Sequence, residues 1–353
     1  MSAELPDVLA DPIFQLNLTL WMLQPLPGMA STRPVLREAG YTLDSISRPL
    51  PFPFAMRAAV AAAAGSHDAP CPDVLAAGPT QFDWLIIECK GAGFGPDSSA
   101  AKQATKLLAG APDLTEPLAL APGGARSAHL TYLTRNDHRE ALAGTLEELR
   151  ARLAAGGLRA GKSGAFGLSR EVDGVYIERS AGGSWPAPVE QMLPGPTRVI
   201  QLDADEDPRP LYFIPWDPGV DQGPAARDEC KAILFARIAT EATSEVGRTE
   251  LPARVLLDVG ELLSRATYGV SRRWRYKGDI DKVLRECKRF LADAVAPLKE
   301  RLALALPSGP ERLEFTLQTE NERDATIDCL MKANPLKKLP TVEDENQLPL
   351  FPE

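Results

Sequence analysis

One short apolar stretch, residues 82–90, most constrains what this chain can fold into. It reads Phe-Asp-Trp-Leu-Ile-Ile-Glu-Cys-Lys, so large apolar side chains end abruptly on a carboxylate, a spacer and an amine. A run of this length, rich in β-branched and aromatic residues, is typical of a buried strand. Glycines follow at once, which indicates that the strand ends in a loop. Because the sheet behind a strand end holds its charged groups rigidly, this end is a suitable place for a site.

The spacing of the polar residues explains their chemical types. Side chains alternate along a strand, so Glu88 and Lys90 share one face and Cys89 points to the other. The Glu88 carboxylate and the Cys89 backbone carbonyl are oxygen ligands of the kind that Mg²⁺ prefers. Lys90 can hold an attacking water or offset negative charge that develops on a phosphate. Asp73 lies upstream across a Gly-Pro turn, and a hairpin there would bring it beside Glu88.

This arrangement, a Pro-Asp pair followed by Glu-Cys-Lys at a strand end and then a helix, resembles the PD-(D/E)xK nuclease superfamily. The resemblance implies an α/β (α+β) fold with a restriction-endonuclease-like core, in which helices flank a mixed central sheet. It also implies metal-dependent phosphodiester hydrolysis. Carried over, Asp73 and Glu88 would bind the metal, Mg²⁺ or Mn²⁺, and Lys90 would be the catalytic lysine.

The superfamily pattern extends to two further candidates in this sequence. Some relatives add a glutamate from the first helix, and Glu38 is the candidate for that metal ligand. Some add a glutamine in the helix after the lysine, and Gln103 is the candidate there. The resemblance covers about residues 29–153, which is under half the chain.

The Glu-Cys-Lys triplet occurs three times, at residues 88–90, 229–231 and 286–288. The second and third copies lie in stretches of helical period, which predicts ordinary solvated helix faces. Only the first copy ends a predicted strand and has an aspartate at hairpin distance. The alternative for the first copy is a strand end with ordinary surface charges.

Composition places limits on the class of protein. A chain of 353 residues has room for one large or two ordinary domains. The net charge of −9 argues against a dedicated nucleic-acid scaffold, although a nuclease needs positive charge only locally. Five scattered cysteines without a CxxC pair favour a reducing compartment. With no signal peptide and no long apolar run, we expect a cytoplasmic bacterial protein with no membrane partner.

Periodicity and turn residues predict the remaining elements. Strands are predicted at 14–23, 129–133, 172–179, 197–202, 211–215 and 313–318, and helices at 33–39, 55–64, 100–108 and 140–155. Residues 229–304 are predicted to be helical almost throughout. The resulting organisation is a nuclease-like core at 1–165, a β subdomain or sheet extension at 166–222, a mainly helical region at 223–306 and a polar tail at 307–353.

Residues 156–163 match the P-loop pattern GxxxxGK[ST], but their context is wrong. A P-loop must follow a strand and open a helix, because loop amides and the helix start bind the phosphates. This segment follows a predicted helix, so its glycines indicate a helix end rather than an ATP site.

A basic and aromatic cluster lies inside the helical region. It comprises Arg272, Arg273, Trp274, Arg275 and Lys277. Cations beside aromatic rings suit phosphate contacts combined with base stacking, so this cluster is the predicted DNA-binding surface. The alternative is a solvated loop with Trp274 packed into the core.

The polar tail ends in an apolar peptide, Gln-Leu-Pro-Leu-Phe. It resembles the short peptide by which bacterial proteins dock on the DNA sliding clamp. The resemblance implies that Gln347, Leu348, Leu350 and Phe351 insert into a pocket of the clamp. An extended apolar peptide on a tether is a recurring recognition mode. The alternative is a tail that folds back on its own core.

The sequence therefore predicts a Mg²⁺-dependent DNA endo- or exonuclease that acts in bacterial DNA repair or anti-phage defence and is recruited by the sliding clamp. Its partners would be DNA, the clamp and another subunit of a repair or defence complex. A second hypothesis is a catalytically inactive nuclease-like fold that serves as a DNA-binding or assembly module. A third is an enzyme that acts on a non-nucleic substrate.

Overall fold

The structure is a computed structural model that describes residues 8–24, 32–114, 126–202, 224–275, 277–303 and 312–335, with only the backbone at 224–230 and 277–279. The chain divides into two compact units, Met1–Asp221 with Tyr268–Ile280 and Gln222–Thr267 with Asp281–Glu353. The predicted strand at 211–215 lies outside the described residues.

A seven-stranded sheet forms the centre of the first unit, and its strands follow one another across the sheet in chain order. The strands are β1 (Thr42–Ile46), β2 (Val74–Ala77), β3 (Trp84–Cys89), β4 (Ala128–Arg135), β5 (Lys162–Glu171), β6 (Gly174–Arg179) and β7 (Thr197–Gln201). The central strands β3, β4 and β5 are parallel, whereas β1–β2, β2–β3, β5–β6 and β6–β7 are antiparallel pairs. Strands at 172–179 and 197–202 were predicted, whereas β5 was not.

The helices of the first unit, within the described ranges, precede β1 or lie between the strands, except that β2–β3 and β5–β6 follow each other directly. These helices are α1 (Pro12–Leu23), α2 (Val35–Glu38), α3 (Phe54–Ala64), α4 (Ser99–Gly110), α5 (Arg139–Ala155) and α6 (Ala187–Met192). Parallel neighbours need a crossover connection, and α4 and α5 lie in the two crossovers of the parallel strands. The predicted α/β fold class is confirmed, because a mixed sheet is combined with helices that lie in several of the connections between its strands.

The core lies between the sheet and the two crossover helices. Ile86 and Leu130 of the sheet share one buried cluster with Leu107 of α4 and Leu146 of α5. Leu85 and Ile87 point to the opposite face of β3 and are also buried, and α1 contacts β1, β2 and β3. The middle of the sheet is therefore covered on both faces, as parallel strands require.

Helix α1 occupies residues 12–23, so the strand predicted at 14–23 was wrong. Asp11 caps the helix through its side chain, and Pro12 occupies the first helical position. The polar residues of the apolar–polar alternation are buried, and Asn17 and Thr19 each donate to the carbonyl four residues earlier. Because both sets of side chains are buried, the alternation does not mark a solvent face.

The segment that matches the P-loop pattern connects α5 to β5. Gly156 follows the last residue of α5, and Lys162 already begins the strand. The segment therefore lacks the helix start that a P-loop requires.

The remaining elements are, in chain order, α7 (Pro224–Gly247), β8 (Ala253–Asp258), α8 (Val259–Ala266), α9 (Lys277–Val295), β9 (Arg312–Leu317) and α10 (Glu320–Lys332). Strand β9 was predicted, and β8 pairs with it antiparallel. The prediction of helix almost throughout 229–304 was wrong at β8. There, buried Val255 and Leu257 alternate with exposed Arg254 and Leu256, which is the period of a strand.

The second and third Glu-Cys-Lys copies lie on α7 and α9, in agreement with the helical period of their surroundings. The Lys231 ammonium lies 3.2 Å from the Glu286 carboxylate, so the two copies contribute to an ion pair between helices. Their structural setting is therefore different from that of the first copy at the end of β3.

Candidate active site

The β2–β3 hairpin places Asp73 beside Glu88. Val74 pairs with Ile87, so Asp73, one residue earlier, lies opposite Glu88. The Asp73 amide donates to the Glu88 carboxylate at 3.3 Å, and the Cys89 amide donates to the Asp73 carboxylate at 2.7 Å. Each acidic residue is thus tied to the backbone of the other strand, which fixes the two carboxylates together.

The Glu88 carboxylate is buried, with 1% of the residue exposed. One of its oxygens accepts from the Asp73 amide, and the other accepts from Gln103 Nε2 at 3.1 Å. Gln103 belongs to α4, whose start is fixed by the Ser98 hydroxyl accepting from the Ala101 amide. The helix after β3 therefore supplies a side chain that orients the buried carboxylate.

Burial raises the pKa of Asp73 to about 6, although the Cys89 amide and the Lys90 charge act in the opposite direction. Burial and the charges of Glu88 and Asp73 also raise the pKa of the Tyr132 phenol well above its usual value. Tyr132 lies directly beside Glu88 on β4 and is fully buried. Glu88 is thus buried and Asp73 is half-buried, and a cation beside them would favour the ionised forms of both carboxylates.

Lys90 immediately follows β3 and is half-buried. Its amide donates to the Leu133 carbonyl of β4 at 2.9 Å, and its own carbonyl accepts from Gln15 Nε2 at 3.2 Å. Gln15 lies on α1, is fully buried and also donates to the Leu9 carbonyl at 2.7 Å. The backbone of Lys90 is therefore fixed from two sides, by the next strand and by the first helix.

Gly91 brings the loop after β3 into close contact with the start of the chain. A Cβ atom added at Gly91 would lie 2.1 Å from the Ala10 carbonyl oxygen, which is far inside van der Waals contact. Only glycine fits without a backbone shift. The segment before α1 thus lies directly against the loop that carries Lys90.

The group formed by Asp73, Glu88 and the Cys89 backbone fits a hard divalent cation. Its donors are oxygens, and Mg²⁺ is commonly bound through one or two carboxylates while it keeps several waters. Within the residues that the structure describes, no group of three or more His, Cys, Asp and Glu side chains could hold a metal. The Cys89 amide points towards Asp73, and the carbonyl of a strand residue projects from the same edge as its amide.

Glu38 is not part of this group. It lies on α2, is exposed and forms an ion pair with Arg33 at 2.8 Å. Helix α1 instead contributes Gln15, which was not among the predicted site residues. The signal that could have found α1 was the Asp-Pro pair at residues 11–12, which marks a helix start.

The basic cluster at 272–277 belongs to the first unit and runs beside the end of β1. Trp274 forms a β-bridge with Ile46, and the Arg275 amide donates to the Ile46 carbonyl at 2.9 Å. The next residue of that strand end, Ser47, donates its amide to the Asp73 carbonyl at 3.0 Å. The cluster is therefore connected to the candidate site through a few backbone hydrogen bonds.

Not every member of the cluster is placed to contact DNA. Trp274 is 6% exposed, so its ring is not available to stack on a base, and the alternative of a tryptophan packed in the core fits its position. Arg272 and Arg275 are exposed, and Arg273 is half-buried. The Lys277 side chain lies outside the described residues, as do Gln347, Leu348, Leu350 and Phe351.

Comparisons of the chain with protein-family models, with curated proteins and with solved structures found no match. Among the helices of the described ranges, none has the length and apolar character needed to cross a membrane.

Proposed function

We propose that the first unit is a Mg²⁺- or Mn²⁺-dependent DNA nuclease of the PD-(D/E)xK type with a restriction-endonuclease-like core. One observation carries this proposal. Reciprocal side-chain-to-backbone hydrogen bonds join Asp73 to the Glu88–Cys89 segment and hold a half-buried and a buried carboxylate beside Lys90. An ordinary strand end with surface charges would leave such carboxylates solvated.

Each residue of the group has a role in the proposed reaction. Asp73, Glu88 and the Cys89 carbonyl would hold the divalent ion, which when bound activates water and stabilises charge on the phosphate. Lys90 holds the attacking water or offsets the charge that develops on the phosphate. Gln103 orients Glu88 through its 3.1 Å hydrogen bond, and its second amide hydrogen can contact substrate.

The order of elements around the site gives further support. Helix α3, the β2–β3 hairpin, α4, β4 and α5 follow one another in the helix, strand, strand, helix, strand, helix order that the resemblance implies. The carboxylates lie where β3 ends, and in open α/β sheets ligands bind at the carboxyl ends of the strands. Exposed Arg272 and Arg275, beside β1, supply local positive charge despite the net charge of −9.

The proposed setting is bacterial DNA repair or anti-phage defence in the cytoplasm, with recruitment by the sliding clamp through Gln347, Leu348, Leu350 and Phe351. Clamp docking would concentrate a nuclease on DNA that is being replicated or repaired, because tethering raises the effective concentration at the target. Another subunit of a repair or defence complex would complete the assembly.

The test is cleavage of linear, nicked and single-stranded DNA with Mg²⁺ or Mn²⁺ by the wild type, Asp73→Asn and Lys90→Ala. Lys162→Ala is the matched control, because Lys162 is an exposed lysine at the opposite end of the parallel strands. Cleavage that is lost in Asp73→Asn and Lys90→Ala but kept in Lys162→Ala supports the proposal. DNA that is bound equally by all variants and cleaved by none supports the inactive-module hypothesis.

Recruitment is tested separately with the Leu350→Ala/Phe351→Ala double variant. Stimulation of cleavage by purified sliding clamp should be lost in this variant, while cleavage without the clamp is unchanged. Equal stimulation of both proteins would contradict clamp docking through the tail. Pro349→Ser is the control, because it changes the tail between the anchors and leaves the anchors in place.

A further inference from the structure

A polar depression lies next to the candidate site, between the end of α3 and the first turns of α4. Its volume is about 370 Å³, and its polar lining includes Ser66, Ser99, Lys102, Gln103 and Lys106. Gly65, in the left-handed conformation, ends α3 at its rim. The depression is open and lined by hydroxyls, an amide and two ammonium groups, which is the chemistry of an anion site rather than of an apolar ligand pocket.

The charges of the two lysines are placed unfavourably with respect to each other and to their own helix. Lys102 and Lys106 are four residues apart, so they lie on the same face of α4, where like charges repel. Lys102 lies in the first turn, where the helix dipole disfavours a cation. Lys106 donates to the Ser66 hydroxyl at 2.9 Å, and within the described part of the chain neither lysine forms an ion pair with a carboxylate. An anion in the depression would remove both unfavourable effects.

Some other cations of the same unit, such as Arg139 and Arg152, pair with acidic side chains on the surface. What distinguishes Lys102 and Lys106 is that both line one depression together with Gln103, which contacts the candidate site.

Gln103 links the depression to the candidate site. This residue lies between the two lysines in sequence, lines the depression and donates to the Glu88 carboxylate. A phosphate held by Lys102 and Lys106 would thus lie close to a phosphate held at the carboxylates, as neighbouring phosphates of one strand do.

We propose that the depression binds a backbone phosphate of the DNA strand next to the phosphodiester that is cleaved. The proposal rests on the proposed nuclease function and adds to it the element that sets the register of the strand. Lys102 and Lys106 neutralise the phosphate, the Ser66 hydroxyl orients the Lys106 ammonium, and Gln103 separates this phosphate from the carboxylates. Such contacts position a strand and carry no sequence information.

The test measures binding without catalysis. Fluorescence anisotropy with labelled single-stranded and duplex DNA, in EDTA, compares the wild type, Lys102→Ala/Lys106→Ala and Lys162→Ala over a series of salt concentrations. We expect the double variant to bind roughly tenfold more weakly, with a salt slope smaller by about 0.7–0.9 because one phosphate is no longer neutralised. The Lys162→Ala control should match the wild type, and Lys102→Arg/Lys106→Arg should retain binding because it keeps the charge.

Several outcomes would overturn the proposal. The first is that the wild type does not bind DNA. The second is that the double variant binds DNA with the same affinity and the same salt slope as the wild type. The third is that the wild type prefers RNA over DNA of the same sequence. Inhibition by inorganic phosphate as strong as inhibition by unlabelled DNA would identify the ligand as a free anion rather than a strand. Circular dichroism spectra that match the wild type establish that the substitutions leave the fold intact.

The same set of variants separates this proposal from the nuclease proposal. If the wild type cleaves DNA and the double variant has the same KM, the phosphate-site proposal is contradicted and the nuclease proposal stands. If DNA binding depends on Lys102 and Lys106 but the wild type does not cleave DNA, the nuclease proposal is contradicted and the phosphate-site proposal stands.

Discussion

The side-chain amide of Gln15 donates a hydrogen bond to the backbone carbonyl of Lys90 across 3.2 Å. The two residues are 75 positions apart in the sequence, and Gln15 is fully buried. The contact restrains the first peptide group after β3 and therefore the direction in which the Lys90 side chain leaves the sheet. Gln15 acts through Lys90 and is in this sense a positioning residue.

We expect Gln15→Leu to lower kcat several-fold while the KM for DNA is nearly unchanged. The substitution keeps the side-chain volume but leaves the Leu9 and Lys90 carbonyls without their side-chain donor, which costs about 1–3 kcal/mol of stability for each carbonyl. Steady-state kinetics and urea unfolding measure the two effects. Thr19→Val on the same helix is the control, because Thr19 bonds only within α1 among the contacts described, so it should lose stability without the fall in kcat. Equal kcat losses in both variants would contradict the positioning role.

Asp73→Asn should stabilise the metal-free protein at pH 7 and abolish stabilisation by metal. Burial raises the pKa of Asp73 to about 6, so the ionised form is disfavoured in the folded state, and a neutral amide avoids that cost. An asparagine oxygen can still accept from the Cys89 amide. Thermal unfolding with and without saturating Mn²⁺ measures both effects.

Asp97→Asn is the control for this experiment, because Asp97 is an exposed carboxylate that pairs with Arg152. Its metal-free stability should change little, and Mn²⁺ should still raise its melting temperature. If Mn²⁺ raised the melting temperature of Asp73→Asn as much as that of Asp97→Asn, the metal would bind elsewhere.

Tyr132→Phe should raise the free energy of unfolding by about 1 kcal/mol. The Tyr132 hydroxyl is buried and has no hydrogen-bond partner within the described ranges, and phenylalanine removes it while keeping the edge-to-face contact with Phe94. Urea unfolding without metal measures the change. Tyr176→Phe is the contrasting variant, because the Tyr176 hydroxyl donates to Asp173 at 3.0 Å. Its removal should not raise the free energy of unfolding. A loss of stability in Tyr132→Phe would show that the hydroxyl has a partner in solution.

His129 should make the protein less stable as the pH falls below about 6.5. Burial lowers the pKa of His129, and the Lys162 and Arg150 charges act in the same direction, whereas the Ser184 carbonyl and Asp83 oppose them. The folded state thus keeps the imidazole neutral while the unfolded chain protonates it. The contribution of His129 to stability is therefore complete above the pKa that the histidine has in the unfolded chain, and it declines as the pH falls below that value.

The measurement is urea unfolding of the wild type and His129→Asn at pH 7.5 and 5.5. Asparagine keeps a donor for the Ser184 carbonyl, which accepts from His129 Nδ1 at 3.1 Å, but does not titrate in this range. The loss of stability between the two pH values should be smaller in the variant. An identical loss in both proteins would assign the pH dependence to other groups.

The hairpin that carries Asp73 and Glu88 could be predicted because its information is local. A strand, a Gly-Pro turn and a second apolar run lie within about 20 residues, and the alternation of side chains fixes which residues face one another. Gln103 could be predicted for the same reason, since a capped helix follows the strand within one loop. The α/β class followed from these local elements.

The contacts that support the site were not predictable in this way. Gln15 and Tyr132 meet the site through tertiary packing, and nothing in their immediate sequence distinguishes them from other buried polar residues. The alternation at 14–23 resembled a strand because tertiary burial hides the polar side chains of α1 as well as the apolar ones. Trp274 was ambiguous between core and surface until its bridge to Ile46 was known.

The close approach of Gly91 to the Ala10 carbonyl has a consequence for synthesis of the chain on the ribosome. Helix α1 is buried on nearly all sides in the native fold, but β3 and its loop, which contact it, are translated about 70 residues later. At roughly 5–20 residues per second, the helix waits about 4–14 s for this partner. During this interval α1 has only the earlier elements β1 and β2 as partners in the sheet, so the part of its apolar surface that β3 and its loop cover in the native fold stays exposed in the nascent chain.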